Sequence, residues 1–198
     1  MGPAADAGAG PAVEPRQDPL VLVVMGVAGS GKSTVAGLLA ARLDWPFAEG
    51  DALHPPENVA KMAAGHPLTD ADRMPWLRLI ADWVDARLDA GGNGIVTCSA
   101  LKRAYRDVIA HRGRGVRFVY LAAQPRTIAA RLAARRGHFM PPALLPSQFA
   151  DLEEPGPDEP VLRVEVADSP EAVARGIAQR LGLVPGPGAQ AGETGVSR

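Results

Sequence analysis

The sequence predicts an α/β fold: a parallel sheet of about five strands covered by helices on both faces. Three observations predict it. Apolar strand-like runs alternate with amphipathic helix-like runs along most of the chain, the pattern of strands joined by helical crossovers. The first run, LVLVVM at 20–25, is apolar at every position, as a strand buried on both faces requires. The polar residues that could do chemistry come directly after strands, where sheets of this kind bind ligands.

Each element follows from its own pattern. After the strand at 20–25 and a glycine-rich turn, KSTVAGLLAARL puts Val35, Leu38, Leu39 and Leu43 on one side of a helix. PFAE is a short second strand. PPENVAKMAAG reads as a helix opened by proline and stopped by Gly65. TDADRMPWLRLIADWVDARLDAGG begins with a Thr or Asp cap and continues as a long helix to its glycines. GIVTCSA is a buried strand, LKRAYRDVIAHR a helix and VRFVYLAA a strand. QPRTIAARLAARRG is a helix ending at Gly137, and HFMPPALLPSQ is a loop broken by prolines. VLRVEVA is the last strand, and SPEAVARGIAQRL the last helix, opened by Ser169 and Pro170.

Composition narrows the function classes. The 198 residues suit one domain, with 46% hydrophobic and 22% charged residues. A net charge of -1 gives no general nucleic-acid or membrane surface. No apolar run approaches the roughly 20 residues of a membrane span, and the N-terminus lacks the pattern of a signal peptide. The single cysteine, Cys98, rules out an internal disulfide and fits a reducing, cytoplasmic setting. The Ala-, Gly- and Pro-rich stretches at 1–18 and 185–198 read as disordered, leaving a domain at 19–184.

Gly26, Gly31, Lys32 and Ser33 fit G-x-x-x-x-G-K-[ST] between a strand and a helix. Glycines let backbone N–H groups surround phosphate oxygens, and the new helix adds its unpaired N–H groups and positive dipole end. Lys32 reaches the β- and γ-phosphates, and the Ser33 hydroxyl is a ligand for Mg2+. Binding phosphate is not yet an activity, since switches, motors and small-molecule kinases share this turn. A guanine-reading N-K-x-D is absent, which disfavours a GTP switch.

A second cluster follows the next two strands. Glu49 and Asp51 sit at a strand end, where either could take a proton from an attacking hydroxyl or hold a magnesium water; the other reading of Asp51 is a helix cap. His54 is a site residue or a structural histidine, and Arg73 a ligand or half of a structural ion pair. Only three lysines stand against 18 arginines, and Lys61 and Lys102 lie in polar, motif-like stretches, either as point charges with a task or as solvated helix residues. Ser99, Lys102 and Arg106 follow the third strand. Lys102 and Arg106, four apart on one helix, repel unless an anion lies between them or water surrounds them. Trp76, at helical spacing with Leu79, Ile80 and Trp83, reads as core.

The stretches GVAGSGKST, EGDALHPPENVAKMAAGHPLTDADRMPWL, CSALKRAYRDVI and RRGHFMPPALLPSQFADLEEP closely resemble the bacterial-type gluconokinases, from about Leu20 to Leu181. The first is shared by many proteins; the other three together are specific. The resemblance implies a three-layer P-loop kinase fold with a lid at about 136–149, like that of shikimate and nucleoside monophosphate kinases. It implies phosphorylation of the 6-hydroxyl of D-gluconate by ATP with Mg2+, and a homodimer. Gly26, Gly29, Ser30, Gly31, Lys32, Ser33 and Thr34 would hold the ATP phosphates. Asp51 would stand near the transferred phosphate. His54, Lys61, Arg73, Ser99, Lys102 and Arg106 would form the sugar-acid site. Arg131 and Arg135 would be lid arginines that close on ATP, Arg131 acting in catalysis. Pro146 replaces a polar lid residue of relatives, and Pro141 with Pro142 would stiffen that loop.

Overall fold

The structure is a computed structural model that describes residues 18–128, 145–166 and 169–186. Five strands form one parallel sheet in the order β2-β3-β1-β4-β5. They are β1 (Val21–Met25), β2 (Phe47–Ala48), β3 (Gly94–Thr97), β4 (Val116–Ala122) and β5 (Val161–Glu165). The helices are α1 (Lys32–Leu43), α2 (Pro56–Ala63), α3 (Asp70–Asp89), α4 (Arg103–Ile109), α5 (Leu145–Asp151) and α6 (Pro170–Arg180), with a short 3-10 turn at Gly50–Leu53.

β1 is central, and its alternating side chains supply two cores. Val21, Val23 and Met25 face a core shared with α3 and α4 through Trp76, Leu77, Ile80, Val84, Tyr105 and Ile109. Leu22 and Val24 face the opposite core, with Val35, Ala36 and Leu39 of α1 and Val173, Ala174 and Ile177 of α6. This is the expected three-layer arrangement, and the fully apolar β1 is its consequence.

Local chemistry sets the helix starts. Thr69 caps α3 in a reciprocal box: its hydroxyl accepts from the Asp72 N–H (3.3 Å) and the Asp72 carboxylate accepts from the Thr69 N–H (2.7 Å). Ser169 caps α6, with Pro170 as its first residue. α3 runs through Pro75 near its start. α1 has no side-chain cap, and Gly31 precedes it at φ 93°, a left-handed conformation that favours glycine.

One expectation about a chain segment changes. The stretch read as loop through Gln148 is helical from Leu145. Pro146 lies in the first turn of α5, where its missing N–H costs no helical hydrogen bond. Leu145 and Phe149, with Leu152 just beyond the helix, present an apolar stripe to Val27, Leu101 and Ile128. At the C-terminal side the Gly186 N–H donates to the Arg42 carbonyl at 2.9 Å.

Candidate active site

Register brings the site together. Val24 pairs with Thr97 across β1 and β3, so the first residues after each strand lie side by side, and the Gly26 N–H donates to the Ser99 carbonyl at 3.3 Å. Ala48 pairs with Val96 across β2 and β3, which places Glu49 beside Thr97. The carboxyl ends of β1, β2 and β3 therefore carry the phosphate loop, the acidic turn and Ser99 around one cavity. Its walls include Gly29, Gly31, Lys32, Ser33 and Thr34 from the loop after β1 and the start of α1, and Asp51, His54, Arg73 and Trp76 from the turn after β2 and from α3.

The phosphate loop has the expected form. The first turn of α1 leaves its N–H groups without intrahelical acceptors. The Lys32 ammonium donates to the Val27 carbonyl at 3.1 Å. Burial lowers the Lys32 pKa, while the charges of Asp51 and Glu49 oppose that shift and favour the ammonium form. Gly26 (φ 139°) closes against the Leu121 carbonyl and Ser30. Ser30 is fully buried, placing it behind the loop rather than on the cavity wall.

The acidic turn is fixed by Gly50. Its N–H donates to the Thr97 hydroxyl (3.0 Å), its carbonyl accepts from the Trp76 indole N–H (2.7 Å), and the Thr97 hydroxyl donates to Glu49. Asp51, the next residue, caps no helix: α2 begins after Pro55 without a side-chain cap. It is exposed and lines the same cavity as Lys32. The reading of Asp51 as a cap is thereby set aside.

His54 stacks on Trp76, with ring centroids 4.0 Å apart and planes 16° from parallel. Burial pushes its pKa down to about 4; the Asp51 charge opposes this and the Arg73 charge adds a smaller push downward, so the ring is neutral at pH 7. Trp76 is both core and site: it is buried, as its spacing predicts, yet it braces His54 and lines the cavity. Arg73 is also both ion pair and wall. It is 7% exposed, donates to the Leu68 carbonyl and to Asp151 (each 3.3 Å), and lines the cavity.

Three expected sugar-acid residues do not reach the cavity walls. Lys61 pairs with Asp72 at 2.5 Å, tying α2 to the start of α3. Lys102 pairs with Asp70 at 2.7 Å and with Asp151 at 3.7 Å. Arg106 is buried behind the site. It grips Glu159 with two donors (2.5 and 2.9 Å) and gives a third to the carbonyls of Ala100, Leu101 and Glu153. Lys102 and Arg106 each meet a carboxylate of their own, Asp70 and Glu159, which offsets the repulsion expected between two cations four residues apart. Arg131, Arg135, Pro141 and Pro142 lie outside the described residues.

Sequence reasoning missed Gln148 and Ser147, which line the cavity from α5. Gln148 is 5% exposed, and its side-chain oxygen accepts from the Ala28 N–H at 2.6 Å. Its only sequence signal was the match of SQF within the last resembling stretch.

A phosphate-binding turn and a carboxylate lining one cavity, on a 2-3-1-4-5 parallel sheet, define a P-loop phosphotransferase for small molecules. Comparison with known proteins narrows the class. The profile of a family described as an AAA domain matches residues 21–155. The gluconokinase of Gluconobacter oxydans is 55% identical over 155 residues, covering 78% of this chain and 87% of that protein. The thermoresistant gluconokinase of Escherichia coli is 43% identical over 150 residues, covering 76% and 86%. The crystal structure of a gluconokinase from Sinorhizobium meliloti superposes with a TM-score of 0.72 at 43% identity, covering 84% of this chain and 97% of that one. The chain belongs to the gluconokinase family of P-loop kinases.

Proposed function

We propose that this protein transfers the γ-phosphoryl group of ATP to the 6-hydroxyl of D-gluconate, giving 6-phospho-D-gluconate and ADP. The observation that carries this reading is one cavity lined both by Lys32, Ser33 and Thr34 and by Asp51 and Arg73. Donor and acceptor groups can meet only where both sets of residues face the same space.

The chemistry is positioning and charge stabilisation. The backbone N–H groups at the start of α1 and the Lys32 ammonium bind the triphosphate and offset negative charge as the γ-phosphoryl group leaves. Asp51 accepts a hydrogen bond from the attacking hydroxyl, aligns it with phosphorus and takes its proton late in the transfer. Arg73, held by the Leu68 carbonyl and Asp151, supplies the cation that an anionic sugar acid needs. Neutral His54, stacked on Trp76, offers a hydrogen-bonding edge to a polyol without adding charge.

Mg2+ fits the donors present. The Ser33 hydroxyl and the Asp51 carboxylate are hard oxygen ligands lining the same cavity. Among the described residues no cluster of acidic, histidine or cysteine side chains would hold a metal alone, so these residues would hold it together with nucleotide phosphates. When bound, Mg2+ supplies neutralising charge to the phosphates. The roles of Arg131 and Arg135 as nucleotide-closing arginines, the homodimer and the cytoplasmic setting rest on the family resemblance. No helix among the described residues is long and apolar enough to cross a membrane.

A coupled ADP-release assay across a panel of sugar acids and shikimate tests the proposal. Gluconate should be turned over far faster than the other acceptors. Preference for another acceptor, or no transfer to gluconate, would overturn it.

A further inference from the structure

Helix α5 touches both halves of the cavity. On one side, Gln148 accepts the Ala28 N–H of the phosphate loop at 2.6 Å, across 120 residues of sequence. One turn later, Asp151 accepts from Arg73 at 3.3 Å and lies 3.7 Å from the Lys102 ammonium. Positions three apart share a helix face, so a single short element holds the donor loop with one residue and the acceptor cation with another. The adjacent stripe of α5 packs Leu145 and Phe149 against a cluster that includes Val27, which is itself part of the phosphate loop. Beyond the helix, the Glu153 N–H donates to the Leu101 carbonyl at 2.9 Å, and the Glu153 carboxylate accepts the Arg103 N–H at 2.7 Å. The element is therefore anchored at its far end to the start of α4.

The Gln148 contact is chemically specific. The Ala28 N–H can only donate, so the amide must present its oxygen; a flipped amide would set N–H against N–H. The bond also takes the Ala28 N–H out of the set offered to phosphate. Gln148 thus shapes the loop from behind while the remaining loop N–H groups stay available to nucleotide.

We propose that Gln148 is a positioning residue that, through α5 and Asp151, couples nucleotide binding at the phosphate loop to sugar-acid binding at Arg73. The proposal rests on gluconate being the acceptor. Ordering of the loop by nucleotide holds Gln148, and with it the orientation of Asp151 and the Arg73 guanidinium; ordering of Arg73 by the sugar acid returns the same effect to the loop. By linkage the two effects are equal in size.

The test is equilibrium binding of a non-hydrolysable ATP analogue to the full chain, with and without saturating gluconate. In the wild type, gluconate should tighten the analogue by at least about 5-fold, the lower end of ordinary coupling. Gln148→Met keeps volume but loses the acceptor oxygen, and the ratio should fall to about 1. Gln148→Glu keeps an acceptor for Ala28 and should retain the ratio, although its charge weakens the analogue in both conditions. Asp151→Asn removes the negative charge that pairs with Arg73 and Lys102 at the other end of the link and should also lower the ratio, which serves if the Met variant fails to fold. A general loss of structure would weaken both measurements and leave their ratio unchanged. A wild-type ratio of 1, or a wild-type ratio in the folded Met or Asn variant, overturns the proposal. If the wild type also fails to turn over gluconate, the functional reading falls with it; if turnover is intact, only the coupling role falls.

Discussion

Gly50→Ala should cost this protein more than its single methyl group suggests. A Cβ on Gly50 would lie 1.9 Å from the Thr97 carbonyl oxygen. Ordinary van der Waals contact starts near 3.4 Å, so the backbone must separate by well over 1 Å, and the obstacle is strand β3 rather than a flexible side chain. Overpacking of this kind costs about 1–3 kcal/mol. The same shift strains two hydrogen bonds, from the Gly50 N–H to Thr97 and from Trp76 to the Gly50 carbonyl, each worth about 1 kcal/mol. The sum is a loss of about 3–5 kcal/mol. Asp51 moves with Gly50, and a misplacement of about 1 Å costs on the order of 10²-fold in rate. Urea unfolding measures the first effect, and the coupled turnover assay on the folded fraction measures the second. A variant within about 1 kcal/mol of wild type and with full turnover would refute the view that Gly50 sets the position of the acidic turn.

Other perturbations separate the roles of individual side chains. Asp51→Asn should lower kcat by about 10²-fold or more with little change in melting temperature, because Asp51 caps no helix; wild-type turnover would remove it from the chemistry. Arg106→Met should destabilise by about 3–5 kcal/mol, because Glu159 is left buried without its partner, yet the KM for gluconate should stay near wild type where the protein remains folded; a selective rise in KM would return Arg106 to the substrate site. His54 has a folded pKa of about 4 against 6.5 as an ordinary value, so the unfolded chain binds the proton more readily. Stability should fall as pH drops from about 6.5 towards 4, and His54→Phe should flatten melting temperature over that range; an unchanged slope would mean that His54 is not held neutral.

Much of the fold was legible because its signals are local. The β1–loop–α1 unit carries its glycines, lysine and hydroxyl within nine residues, and caps such as Thr69 and Ser169 act over one turn. The shortfalls depend on distant partners. Arg73 and Arg106 are the same residue type in similarly polar motifs. Only the placement of Asp151 and Glu159, 78 and 53 residues further on, puts one arginine on the cavity wall and the other behind it. Trp76 gave a correct core signal, but its stacking on His54 depends on how α3 meets the turn after β2. Helix α5 was hidden by Pro146, which reads as a breaker unless the helix begins immediately before it. Gly50 carried no sign of its close approach to β3, since that contact is set by strand pairing rather than by neighbours in sequence.

The most direct measurement is phosphorus NMR of the product made from ATP, Mg2+ and D-gluconate by the purified full chain, with ADP counted in the same sample. One phosphomonoester, coupled to the methylene protons at carbon 6 and formed one-to-one with ADP, is the expected result. A phosphate on another carbon, or ADP released without phosphogluconate, would contradict the assignment of the cavity between Lys32 and Asp51 as the site of gluconate phosphorylation.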